Sequence, residues 1–125
     1  RHPVVTDLYD EEEGWKPTHI TLADSADLLL IAPATANVIA KLAHGFADDL
    51  VATLCLATTA PITLAPAMNH RMWLNPATQA NVETLRTRGV RFVGPVDGPL
   101  AEGESGPGRM SEPMDIVAAL AGAMV

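Results

Sequence analysis

Apolar residues along this chain come in two rhythms: short unbroken runs, and longer stretches with helical spacing. Asp27-Leu28-Leu29-Leu30-Ile31-Ala32 is an unbroken run closed by Pro33. A short run with no polar alternation predicts a strand buried on both faces, as in a parallel sheet. Pro61-Ile62-Thr63-Leu64-Ala65-Pro66 is a second such run, bracketed by prolines. Val90-Arg91-Phe92-Val93, ended by Gly94-Pro95, is a third. The helical rhythm first shows from Thr35 to Leu42, where Val38, Ile39 and Leu42 recur and Gly45 supplies a stop. Asp48 and Asp49 precede Leu50 to Ala57, and acids suit the positive end of a helix dipole. Asn75-Pro76 opens a further helix with Asn as cap and Pro in the first position. Its apolar side carries Ala80, Val82 and Leu85, and Gly89 lies beyond its last turn. Met114 to Met124 reads as a terminal helix. Residues 1–18, with Pro3, Gly14 and Pro17, read as a loop or arm, and His19 to Ser25 has the spacing of a short helix. Gly98 to Pro113, rich in Gly and Pro, reads as a loop or flap.

Strands alternating with helices predict an α/β fold: a doubly wound, Rossmann-like (flavodoxin-like) parallel sheet with helices on both faces. Ligands of such sheets bind beyond the carboxyl ends of the strands. Two segments of small or polar residues fall there: Pro33-Ala34-Thr35-Ala36-Asn37 after the first run, and Pro66-Ala67-Met68-Asn69 after the second. Both begin with Pro at a strand end.

Composition narrows the function classes. The length of 125 residues suits one domain with one core. Hydrophobic residues make up 48% but aromatics only 4%, so small side chains must do much of the packing. A net charge of -7 argues against a nucleic-acid backbone as partner. Asp10-Glu11-Glu12-Glu13 reads as a solvated loop. Cys55 is the single cysteine, which excludes an internal disulfide and agrees with a reducing cytoplasm. No apolar stretch reaches the roughly 18 residues of a membrane span. The start has no apolar signal core and no Met, so it reads as the interior of a gene product.

Common catalytic signatures are missing. There is no glycine-rich dinucleotide fingerprint, no phosphate-loop lysine and no metalloprotease helix motif. His2, His19, His44 and His70 have no metal-ligand spacing with Cys55, so no metal is expected. Ser25, Ser105 and Ser111 lack a nucleophile elbow. His2, His44 and His70 read as structural or solvent-facing, and Met72 and Trp73 as packing residues.

What remains is a specific series. His19-Ile20-x-Leu22 precedes Ala26-Asp27-Leu28; Pro33-Ala34-Thr35-Ala36-Asn37 and Gly45-x-Ala47-Asp48-Asp49-Leu50 follow. Then come Pro66-x-Met68-Asn69-x-x-Met72-Trp73 and Gly106-Pro107-Gly108-Arg109-Met110. In order and spacing this series resembles the homo-oligomeric flavin-containing cysteine decarboxylases, and within them the bacterial phosphopantothenoylcysteine decarboxylase domain of coenzyme A biosynthesis. The resemblance covers essentially all of residues 1–125 as one partial flavoprotein decarboxylase domain.

The resemblance implies FMN as cofactor, with Pro33, Ala34, Thr35, Ala36 and Asn37 against its ring system; Thr35 stands where the family usually has Ser. It implies His19 as the active-site histidine, able to relay the thiol proton near neutral pH. It implies Asn69 as the residue that holds the substrate carboxylate, with Ala67, Met68, Gly106, Arg109 and Met110 lining the substrate. Residues 103–110 would close over it as a clamp. The implied chemistry is oxidation of the cysteinyl thiol by the flavin, loss of carbon dioxide, and return of the electrons. The implied partners are phosphopantothenoylcysteine, further copies in a homotrimer or dodecamer, and a fused or associated phosphopantothenoylcysteine synthetase. Two departures stand out. Glu102 occupies the position of the family's proton-donating cysteine, and a dry pocket could keep it protonated as a general acid. The family's opening strand and phosphate-binding turn, roughly sixty residues upstream, do not occur in these residues, and FMN affinity is expected to fall without helix-end anion contacts. A relative acting on peptidyl cysteine and a non-catalytic flavin-binding regulator remain as alternatives.

Overall fold

The computed structural model describes residues 2–6, 26–99 and 105–123. Four parallel strands form one sheet in chain order: β1 (His2–Thr6), β2 (Ala26–Ala34), β3 (Ile62–Pro66) and β4 (Arg91–Phe92). The helices are α1 (Ala36–His44), α2 (Leu50–Ala57), α3 (His70–Leu74), α4 (Pro76–Thr87) and α5 (Pro113–Ala123). A separate antiparallel hairpin joins β5 (Val96–Pro99) to β6 (Ser105–Arg109).

Successive side chains on a strand point to opposite faces, and β2 uses this fully. Ile31, with Leu64 of β3, packs against Val38, Ile39 and Ala43 of α1, Val51 of α2 and Val82 and Leu85 of α4. Leu29 meets Leu54 of α2 nearby. On the opposite face Leu28, Leu30 and Ala65 pack against Ile116 of α5. The sheet is therefore covered on both faces, which is why the run at 28–31 is apolar without alternation. Ile31 is 1% exposed, and cutting it to Ala would cost about 2–5 kcal/mol.

Local chemistry sets the helix ends. Thr35 Oγ1 accepts from Val38 N at 3.2 Å to start α1. Gly45 ends it at φ 73, a left-handed conformation that costs glycine least. Asp49 starts α2, accepting from Ala52 N at 2.8 Å. Asn75 starts α4 by accepting from Ala77 N at 2.8 Å, with Pro76 in the first turn. Among the described residues no helix is long and apolar enough to cross a membrane.

Two expectations are corrected. Residues 1–18 were expected to be a loop or arm with little regular structure, but His2–Thr6 is a strand paired in parallel with β2, Val4 opposite Leu29 and Val5 opposite Leu30. Its stability comes from that long-range pairing, which a five-residue segment between irregular neighbours does not announce. Gly98 to Pro113 was expected to be a loop, but Ser105–Arg109 pairs with Val96–Pro99, and α5 already begins at Pro113. Gly and Pro argue against central strands, yet a two-stranded ribbon is all edge and accepts them. Residues 7–25, with the helix expected from His19 to Ser25, lie outside the described residues.

Candidate functional site

The carboxyl ends of β2 and β3 lie side by side. Ala34 is in register with Pro66, and Ala67 N donates to Ala34 O at 3.1 Å. The two segments singled out by sequence therefore share one edge of the sheet. Within the first, Ala34 is fully buried, Pro33, Thr35 and Ala36 are half-buried, and Asn37 is exposed at the start of α1. The Ala32–Pro33 peptide bond is cis.

The second segment turns directly into α3. Asn69 caps that helix: its Oδ1 accepts from Arg71 N at 2.8 Å, and its carbonyl accepts from Trp73 N at 3.0 Å. With the oxygen committed to the cap, the side chain's donor end is Nδ2. Asn69 is half-buried.

The hairpin lies against this segment. Met68 N donates to Gly108 O at 2.8 Å. A Cβ on Gly108 would sit 2.1 Å from Met68 O, so only glycine permits this approach. A Cβ on Gly106 would sit 3.1 Å from both Cβ and Cγ of His70. Both glycines also have φ values, 152° for Gly106 and 137° for Gly108, that other residues rarely adopt.

The structure thus brings together Pro33, Ala34, Thr35, Ala36 and Asn37 with Ala67, Met68 and Asn69, and sets Gly106 over the residue after Asn69. Met68 packs partly into the larger core cluster. Arg109 turns elsewhere: its side chain lies over Gly98 and its Nη2 bonds Glu112 Oε1 at 2.8 Å. Met110 packs against the cluster of Leu28, Leu30, Ala65 and Ile116. His19 and Glu102 lie outside the described residues.

Sequence reasoning missed the seat of the hairpin, formed by His70 and the carbonyl of Met68. The available signal was the two-residue spacing of Gly106 and Gly108, which leaves one face of a strand bare. It also missed α3, none of whose residues is buried.

Farther along α1, Lys41 bonds Asp49 and lies 3.2 Å from Asp48. The Asp49 bond holds the Lys41 ammonium above its usual pKa, against the opposing effect of burial. Burial pushes the Asp49 carboxyl up, but the Lys41 ammonium and the Ala52 and Val51 amides bring it below the ordinary carboxylate range. Cys55 packs against the core, and burial, with a smaller contribution from Asp49, pushes its thiol up to about 12. That thiol is no nucleophile near neutral pH. An apolar cleft of about 210 Å³, lined by Leu42, Phe46, Cys55, Leu56, Ile62 and Leu85 among others, opens by the amino end of β3, away from Pro66–Asn69. Among the described residues no group of His, Cys, Asp and Glu is placed to hold a metal.

Residues 1–125 match the Flavoprotein family throughout. The coenzyme A biosynthesis bifunctional protein of Vibrio vulnificus (strain YJ016) is 51% identical over 116 residues, which is 93% of this chain and 29% of that protein. A solved PPC decarboxylase mutant, in complex with pantothenoylaminoethenethiol, is 37% identical and superposes with a TM-score of 0.82, over 90% of this chain and 66% of that one. The FMN-dependent cysteine decarboxylase SpaF is 40% identical with a TM-score of 0.71, over 96% of this chain and 65% of that one. The chain therefore spans under a third of the bifunctional relative and about two thirds of the solved ones.

Proposed function

The chain belongs to the Flavoprotein family, and from that membership we propose that it serves the FMN-dependent decarboxylation of 4′-phospho-N-pantothenoylcysteine to 4′-phosphopantetheine in coenzyme A biosynthesis. The observation that carries this reading is Asn69, fixed by its own cap at the carboxyl end of β3 and flanked by the contacts of the hairpin. The bifunctional coenzyme A biosynthesis relative and the PPC decarboxylase neighbour support it. On the same grounds the chain works in the cytoplasm, within a larger protein or assembly that includes the synthetase, as a homotrimer or dodecamer.

The residues at the sheet edge fit a flavin. A flat ring with a polar rim needs small neighbours beneath it and hydrogen-bonding groups beside it. Ala36 and Ala67 are the small neighbours, while Thr35 and the exposed amide of Asn37 are the polar ones; Ala34, fully buried in the core, backs them. When bound, FMN supplies reversible two-electron oxidation of the substrate's cysteinyl carbon–sulfur unit.

The chain's own residues bind, orient and move protons. Asn69 donates from Nδ2 to the substrate carboxylate and so aligns the bond that breaks. The hairpin covers the substrate and excludes water, which strengthens each of these contacts. His19 takes the thiol proton. Glu102, at the family's cysteine position, returns a proton to carbon if the closed site keeps its carboxyl protonated. Ala67, Met68 and Gly106 complete the substrate's surroundings, and Arg109 and Met110 would join them only by leaving Glu112 and the Ile116 cluster.

The test is direct. Purified protein supplied with FMN should release carbon dioxide from phosphopantothenoylcysteine and yield phosphopantetheine. Release from a peptide ending in cysteine, with none from phosphopantothenoylcysteine, would replace this reading with the peptide decarboxylase. Release from neither would leave a binding protein.

A further inference from the structure

We propose that His70 is a positioning residue whose ring sets the tilt of the β5–β6 hairpin over Asn69. The inference rests on the function proposed above for its effect on turnover, but its geometry stands alone.

Two close approaches of β6 to the segment below straddle Asn69. At Gly108 the contact is backbone on backbone, closed by the Met68 N–Gly108 O bond of 2.8 Å. No side chain at position 68 can change that distance. At Gly106, two residues nearer the connected end of the hairpin, the spacer is a side chain: the His70 ring and its Cβ. Positions 106 and 108 share one face of the strand. The Met68–Gly108 bond therefore acts as a pivot, and the bulk at position 70 decides how far the other end stands off. That other end is where Pro99 pairs with Ser105.

The ring is held for this task. Asn69 fixes the backbone at His70 by capping α3 at its first turn. His70 is half-buried, whereas Arg71 and Met72, which follow it on α3, are exposed. Size at position 70 thus translates into the height of the hairpin's connected end above the Asn69 amide. Specificity follows from that height, because it sets the depth available to whatever Asn69 holds.

The experiment uses the FMN-loaded protein and three forms: wild type, His70→Ala and His70→Phe. Hydrogen exchange is measured by peptide, and kinetics with phosphopantothenoylcysteine. In His70→Ala, exchange across residues 105–109 should quicken severalfold while β2 is unchanged, and KM should rise about tenfold with kcat within about twofold. His70→Phe keeps a ring against Gly106 and should restore both. Unchanged exchange and KM in His70→Ala would overturn the proposal. So would faster exchange spread through β2, which marks general packing, or failure of Phe to restore what Ala loses, which marks a role for the ring nitrogens. If the wild type does not decarboxylate, the proposed function fails, and the exchange comparison still decides the role of His70.

Discussion

Replacing Asp49 with Ala removes two interactions that share one carboxylate. Oδ1 caps α2 through Ala52 N at 2.8 Å, and Oδ2 bonds Lys41. The cap is worth about 1 kcal/mol. The ion pair is worth more than a surface pair, since the Lys41 and Asp49 side chains are only 19% and 13% exposed. Asp48, at 3.2 Å, continues to neutralise Lys41 in the variant and limits the loss. Together these give about 2–3 kcal/mol at neutral pH, a fall in Tm on the order of 10 °C for a chain of this size. The loss should depend on pH. The folded Asp49 carboxyl is held below its ordinary value. Its stabilisation is therefore fully present above the unfolded value of about 3.9 and fades as pH falls through the lower folded value. Urea unfolding of wild type and variant at pH 7 and pH 3 measures this. The gap should be wide at pH 7 and shrink at pH 3, toward what a protonated cap still contributes. An equal gap at both pH values, or one under about 0.5 kcal/mol at pH 7, would refute the coupling of cap and ion pair.

Three further outcomes are expected. Asn69→Asp keeps a capping oxygen but replaces the amide donors with a second charge, so Tm should hold while decarboxylation falls about a hundredfold or more; near-normal activity would remove Asn69 from substrate binding. Gly108→Ala forces a Cβ onto Met68 O and breaks the Met68–Gly108 bond, which should cost about 2–4 kcal/mol in urea unfolding, and a neutral result would contradict the described approach. Cys55, with its thiol pushed up to about 12, should resist iodoacetamide at pH 8 in native protein and react once urea unfolds it; fast native labelling would contradict its burial.

Much of the fold was legible because its determinants are local. Asp49 and Asn75 announce helix starts by side-chain chemistry within three residues and cap as expected, while Thr35, expected against the flavin, also caps its helix. The runs at 28–31 and 62–65 announce strands covered on both sides. Their ends followed from the strand-end rule, which set Pro33–Asn37 and Pro66–Asn69 each beyond a strand's carboxyl end; that the two lie side by side comes from the pairing of β2 with β3. What stayed hidden depends on distant partners. β1 exists through its pairing with β2, and β5 and β6 exist through each other. The five-residue α3 has no buried face to create a period, only the Asn69 cap. The seat of Gly106 on His70 joins residues far apart in sequence whose identities say nothing of each other. Asn69 was expected as a substrate contact, and the structure shows it as the cap of α3.

The bare inner face of β6 also bears on how substrate preference in such a protein can change. Positions 106 and 108 are closed to substitution, one by a ring and one by a carbonyl. Variation that retunes the hairpin must then be channelled to Pro107 and Arg109, or to position 70 on the opposing side. A randomised library confined to those sites would keep the docking frame intact, whereas one that included the two glycines would spend most of its members on chains whose hairpin cannot seat.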